Sequence, residues 1–526
     1  MALRPIVGML PSTAGAALMR LLLAVFLAFG PLAPPVIAGT SAAQIDSTGG
    51  MSAGTPLEAR ADDDDDEENE DEDEIGDYDA MPPESVWAQA IGLDRIAGTL
   101  DGDDVTVAVI DTGVTRVADL DEAIVARVDL TPDRDGLDRY GHGTHMIGII
   151  AGDGSASRGR WRGVAPGAEV VSIKVGGWDG ATDVSAVIAG IQWAVSHRAR
   201  YDIRVLNLAY GTDASQSVDI DPLDRAVQRA WEAGILVVTA AGNRGPYGGT
   251  VSKPADDRFV LTVGASDVHG TPATYDDTVA PFSSRGPTPD GAQRPDLVAP
   301  GISIVASRAP GSTIDTFRPE GRQGGKYFKG TGTSQAAAIV SGVAALLFEV
   351  DPDLTPDEAK ALLMATARPM PGQAGSGAGQ LDAAAAVALL RSVGPLPAPA
   401  LRGPASSGTG SIEASRGSHK VFADPDRDGR AGLVTGEVDA LGRPFDGASW
   451  ARTSWTRKTW SKSPWAAVTC VADEWSVPAC GASRWGGMSW SRKWWGHRTW
   501  AEAGWDAESW TAKSWTAKSW TSGHWN

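Results

Sequence analysis

Ser334 stands in GTGTSQAAAIVSG, from Gly330 to Gly342, between a tight glycine turn and an apolar helix. A serine hydroxyl is a weak nucleophile at neutral pH, so acyl chemistry here needs a base within hydrogen-bond reach and donors for the oxyanion formed on the attacked carbonyl. Without such partners the same string reads as the N-cap of a buried helix, a position that Ser and Thr favour. Upstream, VTVAVIDTGV sets Asp111 at the end of an apolar run from Val105 to Ile110, the pattern of a parallel strand buried on both faces. Asp111 then lies at the carboxyl edge of a sheet, where open α/β folds place their chemistry. Thirty-one residues on, GHGTHMIGIIAG sets His142 at the start of another apolar segment. An orienting acid, a base and a nucleophile therefore occur in the order Asp, His, Ser.

The strings AVIDTGV, GHGTHMIGIIAG, LNLAYG, TAAGN, APFSSRGP, RPDLVAPG and GTSQAAAIVSG, in this order, together resemble the subtilisin-like serine proteases, the subtilases. The resemblance implies a secreted serine endopeptidase acting on protein or peptide substrates, with Ser334 forming the acyl-enzyme, His142 as general base and acid, and Asp111 orienting it. Asn243, closing ILVVTAAGN, matches the family's oxyanion-hole asparagine, whose amide shares the oxyanion with the Ser334 N–H. Leu208, Ala209, Tyr210 and Gly211 match the edge that pairs with an extended substrate. Ala240, Ala241 and Gly242 stand opposite, as the other wall of the first specificity pocket. Small side chains and no carboxylate on either wall imply a pocket for large apolar P1 groups and against Lys or Arg. Arg244 follows Asn243 and belongs either at the pocket rim or in solvent. The chemistry requires no cofactor, and His142 with His145 lacks the HExxH pattern and third ligand of a zinc site. A catalytically idle scaffold of the same fold is the rival reading; the complete set of Asp111, His142, Asn243 and Ser334 argues for activity.

These residues need a rigid frame, and residues 85–392 have the composition of one. Apolar runs at 105–110, 170–175, 205–208, 235–239 and 259–264 read as strands with helical stretches between them. Val184, Val187, Ile188, Ile191 and Val195 recur at helical spacing behind a Thr182 or Asp183 cap. In DPLDRAVQRAWEAG, Asp221 caps, Pro222 takes the first helical position and Gly234 closes the helix. Thr355 and Glu358 have capping-box spacing. Strands alternating with helices predict an α/β protein with a mostly parallel central sheet covered on both faces. The resemblance implies the same architecture, a three-layer α/β/α sandwich.

The flanks differ in composition. Residues 1–38, with Arg4, Arg20 and LLLAVFLAFG, have the pattern of a signal peptide. That apolar run is about half of the roughly 20 residues needed to cross a bilayer, so no integral membrane span is expected in the mature, secreted chain, whether extracellular or bound at the cell surface. Residues 39–84 read as an acidic disordered linker, with twelve of the thirteen residues from Asp62 to Glu74 acidic. They are too few and too low in complexity for the folded inhibitory propeptide that family members usually carry there. Residues 393–448 read as a Pro/Gly-rich linker with a small segment in which Asp424, Asp426 and Asp428 precede Gly429 at calcium-loop spacing. Thr435 stands where a bidentate Glu is wanted, so a structural calcium is one reading of that loop. In residues 449–526 every fifth residue from Trp450 to Trp525 is Trp, except Cys470 and Cys480. A period of five matches neither helix nor strand, and reads either as a solenoid or as a disordered array of indoles. Such indoles suit a cell-envelope or glycan surface. An exported compartment permits a Cys470–Cys480 bridge. With a net charge of −20 and no basic domain or recognition motif, nothing points to nucleic acid.

Overall fold

The computed structural model describes residues 85–96, 98–397, 403–423 and 432–476. The signal peptide, the acidic linker, the Asp424–Asp428 loop, Cys480 and the pentads after Ser476 lie outside the described residues.

Apolar runs that exclude water on both faces become the strands of one sheet. In chain order they are β1 (Thr106–Asp111), β2 (Ile124–Asp129), β3 (Glu169–Lys174), β4 (Ile203–Leu208), β5 (Leu236–Ala240), β6 (Leu261–Asp267), β7 (Thr278–Val279) and β8 (Leu297–Pro300). The strands β2, β3, β1, β4, β5, β6 and β8 pair in parallel in that spatial order, and β7 runs antiparallel to β6. A small antiparallel sheet of β9 (Ile304–Ser307), β10 (Arg322–Gln323) and β11 (Tyr327–Gly330) leads the chain into the Ser334 turn. Later in the chain come the short pair β12 (Phe422–Ala423) and β13 (Gly432–Leu433), then β14 (Cys470–Asp473).

The helices are α1 (Val86–Ala90), α2 (His142–Ala151), α3 (Val184–Tyr201), α4 (Pro222–Glu232), α5 (Thr313–Phe317), α6 (Thr333–Val350), α7 (Pro356–Thr366), α8 (Ala383–Val393), α9 (Ile412–Arg416), α10 (Gly447–Ala451) and α11 (Arg457–Trp460). Helices α2 and α6 pack on each other and on the central strands, while α3 and α4 form the second helical layer, giving the three-layer sandwich. Local chemistry sets several helix starts. The Asp183 carboxylate accepts from Ser185 N, Asp221 accepts from Leu223 N and Asp224 N ahead of Pro222, and Thr355 with Glu358 forms a capping box. Helix α6 is long and apolar enough to cross a membrane by composition, but 89% of that window is buried inside the fold.

Strand β2 was not among the runs read from sequence, because Arg127 interrupts its apolar pattern. The guanidinium is satisfied by carbonyls, donating to Asp135 O at 3.1 Å, Glu474 O at 2.9 Å and Ser476 O at 2.6 Å. Two of those acceptors belong to the C-terminal segment. Strand β14 of that segment adds antiparallel to β2, extending the main sheet. The linker at 393–448 and the separate tail from 449 are thus not separate bodies over the described residues. Arg416 is fully buried, with Nε 2.6 Å from Asp183 Oδ2 at the cap of α3. Trp460 and Trp465 are buried in the same core as the sheet, and Trp450 meets Trp455 edge-on at 5.8 Å against it. Up to Trp475 the pentads form neither a solenoid nor an exposed array. Composition misled here because glycines that resemble a linker serve close packing: a Cβ on Gly408, at φ +65°, would sit 2.8 Å from Arg225 Cβ. Cys470, on β14, is disulfide-bonded.

Candidate active site

Strand β1 ends at Asp111, so its carboxylate emerges at the sheet's carboxyl edge. His142 opens α2, and its Nδ1 lies 2.8 Å from both Oδ1 and Oδ2 of Asp111, with both groups buried. A neutral imidazole that donates from Nδ1 accepts protons at Nε2, the tautomer a general base requires.

Neighbouring donors hold this pair in register. Thr112 N donates to Asp111 Oδ1 at 2.7 Å. The Thr112 hydroxyl donates to Asp138 Oδ1 at 2.8 Å and accepts from Gly143 N at 2.9 Å, linking the end of β1 to the first turn of α2. Asp138, also buried, accepts from Tyr140 N, Gly141 N, Thr144 N and Thr144 Oγ1 at 2.6–3.1 Å. Gly143 is required by proximity: a Cβ there would lie 2.2 Å from Gly113 O.

Ser334 is the second residue of α6 and fully buried. Its Oγ makes no hydrogen bond among the described residues. Its N–H lies in the first helical turn, where N–H groups lack intrahelical acceptors and the helix dipole is positive. The turn before Ser334 touches the helix that carries His142: a Cβ on Gly330 would lie 2.8 Å from His145 Nε2. His145 itself is fully buried. Burial, reinforced by the charge of His142 and opposed by a backbone bond with Ser307, lowers its pKa to about 3. The ring is therefore neutral and adds no charge beside His142. Among the described residues no group of three or more His, Cys, Asp or Glu is arranged to hold a metal ion.

Asn243 is tied to the residue before the serine. Its Oδ1 accepts from Thr333 N and Thr333 Oγ1, both at 3.0 Å, while its Nδ2 is buried without an acceptor among the described residues. The Thr333 hydroxyl also accepts from Gly242 N at 3.2 Å. The arrangement leaves a fixed, dry amide donor next to the serine's neighbour.

Strands β4 and β5 are adjacent, with Leu208 paired to Thr239, so Leu208–Gly211 and Ala240–Gly242 leave the sheet edge side by side. Ala209, Tyr210, Ala240 and Ala241 are buried. Gly242 has φ +104°, and a Cβ there would meet Ser252 Oγ at 2.5 Å. Arg244 points neither freely into solvent nor into open space. Its N donates to Ser284 Oγ at 3.0 Å, and its Nη2 reaches Val251 O at 3.4 Å and Ser252 Oγ at 3.5 Å. Burial lowers its pKa, offset in part by the charge of Asp213. Sequence reasoning passed over Thr112, Asp138, Thr333 and Asp213. Asp138 alone had a readable signal, an acid just before a helix start; the others act through partners distant in sequence.

A family model described as "Peptidase_S8: Subtilase family" matches residues 102–394. Serine protease AprX of Bacillus subtilis (strain 168) is 42% identical over 275 residues, covering 51% of this chain and 62% of that protein. M-protease of Shouchella clausii (strain KSM-K16) is 34% identical over 254 residues, 48% of this chain and 56% of that protein. Subtilisin Savinase of Lederbergia lenta is also 34% identical over 254 residues, which are 79% of its length. The chain thus spans less than two thirds of the first two relatives and more of the third.

The state of His145 has a consequence for acid stability. Its folded pKa of about 3 lies below the ordinary 6.5, so between these values the unfolded chain binds the additional proton. The stability it contributes is complete above about pH 6.5 and is lost as the pH falls toward 3. In a Ser334→Ala background, His145→Gln is expected to flatten the slope of unfolding free energy against pH. The slope between about pH 4 and 6 should fall by up to roughly 1.4 kcal/mol per pH unit, read by urea denaturation. A slope equal to that of the parent would contradict a neutral buried ring.

Proposed function

This chain belongs to the subtilase family, and on that footing we propose that it is a secreted serine endopeptidase cleaving protein or peptide substrates through an acyl-enzyme on Ser334. The Ser334 Oγ attacks the scissile carbonyl while His142 Nε2 takes its proton and later returns it to the leaving amine. Asp111, buried and 2.8 Å from Nδ1 through both oxygens, orients the ring and stabilises the imidazolium. The oxyanion receives the Ser334 N–H and the Asn243 amide. Substrate backbone pairs in extended form with Leu208–Gly211, and the P1 side chain enters between that segment and Ala240–Gly242.

The observation that carries this reading is the Asn243 amide, whose oxygen is bound twice by Thr333 and whose buried Nδ2 has no acceptor among the described residues. With its oxygen occupied by Thr333, the amide has its Nδ2 left to donate to an oxyanion. A donor held in place before the charge develops is the arrangement transition-state stabilisation requires.

A second role is read from the sequence of the pentads after Ser476. Their indoles are read as a tether to cell-envelope or glycan surfaces, in support of which stand their number and their position beyond the pentads that pack on the domain. Retention of the full chain on cell-wall material, lost on replacing the Trp residues after Ser476 by Ala, is expected. Equal retention of both chains would remove the tether.

Asn243→Ala tests the oxyanion assignment. It should lower kcat about a hundredfold or more, roughly 2.7–4 kcal/mol, with KM nearly unchanged on a peptide substrate. An unaltered kcat would exclude Asn243 from the oxyanion hole.

A further inference from the structure

Thr212 and Asp213 continue the chain directly from Leu208–Gly211, and the C-terminal segment grips both. Thr212 Oγ1 donates to Ser415 O at 3.0 Å. Thr212 also exchanges backbone hydrogen bonds with Lys253, at 2.9 and 3.0 Å, and the adjacent Ser252 N donates to Ala241 O at 3.0 Å. The two pocket walls are therefore joined through residues 252–253, with Ser415 behind the first. Asp213 accepts from Ser418 N at 2.7 Å and from Ser418 Oγ at 2.6 Å, and His419 Nδ1 lies 3.5 Å from its Oδ1. Gly417, at φ +57°, makes that approach feasible, since a Cβ there would stand 2.2 Å from Asp213 Oδ1. The preceding residue, Arg416, fixes the segment through its buried pair with Asp183.

The grip has an electrostatic side. Burial pulls the Asp213 carboxyl upward, but His419, the Ser418 bonds and Arg244 together hold it below the ordinary carboxylate range, so it is ionised at neutral pH. Thr212, paired with Lys253, brings Asp213 to the stretch at Ser252 that the Arg244 guanidinium also reaches, at 3.5 Å, and across this short gap the Asp213 charge acts on Arg244.

Resting on the peptidase reading above, we propose that the segment from Ser415 to His419 is part of the substrate-binding face, in which Ser418 and His419 hold Asp213 and Asp213 offsets the charge of Arg244, making Asp213 a specificity-determining residue for P1. A carboxylate held in this way prevents the Arg244 charge from attracting acidic P1 groups. Removing it leaves that charge uncompensated beside the pocket. The C-terminal segment, although it follows the residues matched by the family model, then contributes to which bonds are cut.

The test uses the full chain and a peptide series varied only at P1, comparing kcat/KM for Glu, Lys and Leu. Asp213→Asn keeps the side-chain shape and removes the charge. It is expected to raise the Glu-to-Leu ratio about fivefold, the effect of a partly screened charge pair, and to lower the Lys-to-Leu ratio. Ser418→Ala with His419→Ala should shift both ratios the same way. A role in stability alone would lower all three values together and leave the ratios unchanged, which would overturn the proposal. If Asp213→Asn does not fold by circular dichroism, the double variant decides, with ratios within twofold of the parent counting against the proposal. A parent chain that cleaves none of the series would remove the peptidase reading, and this proposal with it.

Discussion

Asp111 and His142 meet at 2.8 Å in a place that water does not reach, and much of the structure exists to make that contact tolerable. A carboxylate buried without donors would be protonated or would drive the chain apart. Here the acid ends a central strand and the imidazole begins a buried helix. Thr112 and Asp138 supply the crosslinks that keep strand end and helix start in one geometry. The parallel sheet is the means by which side chains 31 residues apart arrive together.

The proposed oxyanion side is held in the same way. Helix α6 presents N–H groups at its start, and Thr333 uses its own N–H and hydroxyl to fix the Asn243 amide, which is the alignment the proposed oxyanion role needs. Preorganisation of this kind avoids reorganisation during the reaction. Neutral His145, packed where the Ser334 turn meets α2, fills that junction without adding charge.

Much of this was legible in the chain itself, and the limits have physical causes. Asp111, His142, Asn243 and Ser334 stand out in the chain because the proposed chemistry demands particular residue types beside glycines and apolar runs. The starts of α3, α4 and α7 could be read because caps are local, set by Asp183, Asp221 with Pro222, and Thr355 with Glu358. Strand β2 could not, since Arg127 looks misplaced until carbonyl acceptors 347 and 349 residues away are known. Thr333 is silent for the same reason, its partner lying 90 residues upstream. Composition assigned residues 403–476 to linker and tail, whereas Arg416, Trp460 and Trp465 place the described part of them in the core.

In the proposed mechanism everything turns on Ser334 being a nucleophile activated by the His142 and Asp111 pair. Labelling of the purified full chain with a serine-reactive fluorophosphonate, beside Ser334→Ala, tests it most directly, because the reagent reacts only with an activated hydroxyl. Covalent label is expected at Ser334 in the parent and none on Ser334→Ala. An unlabelled parent, or equal label on both chains, would contradict it.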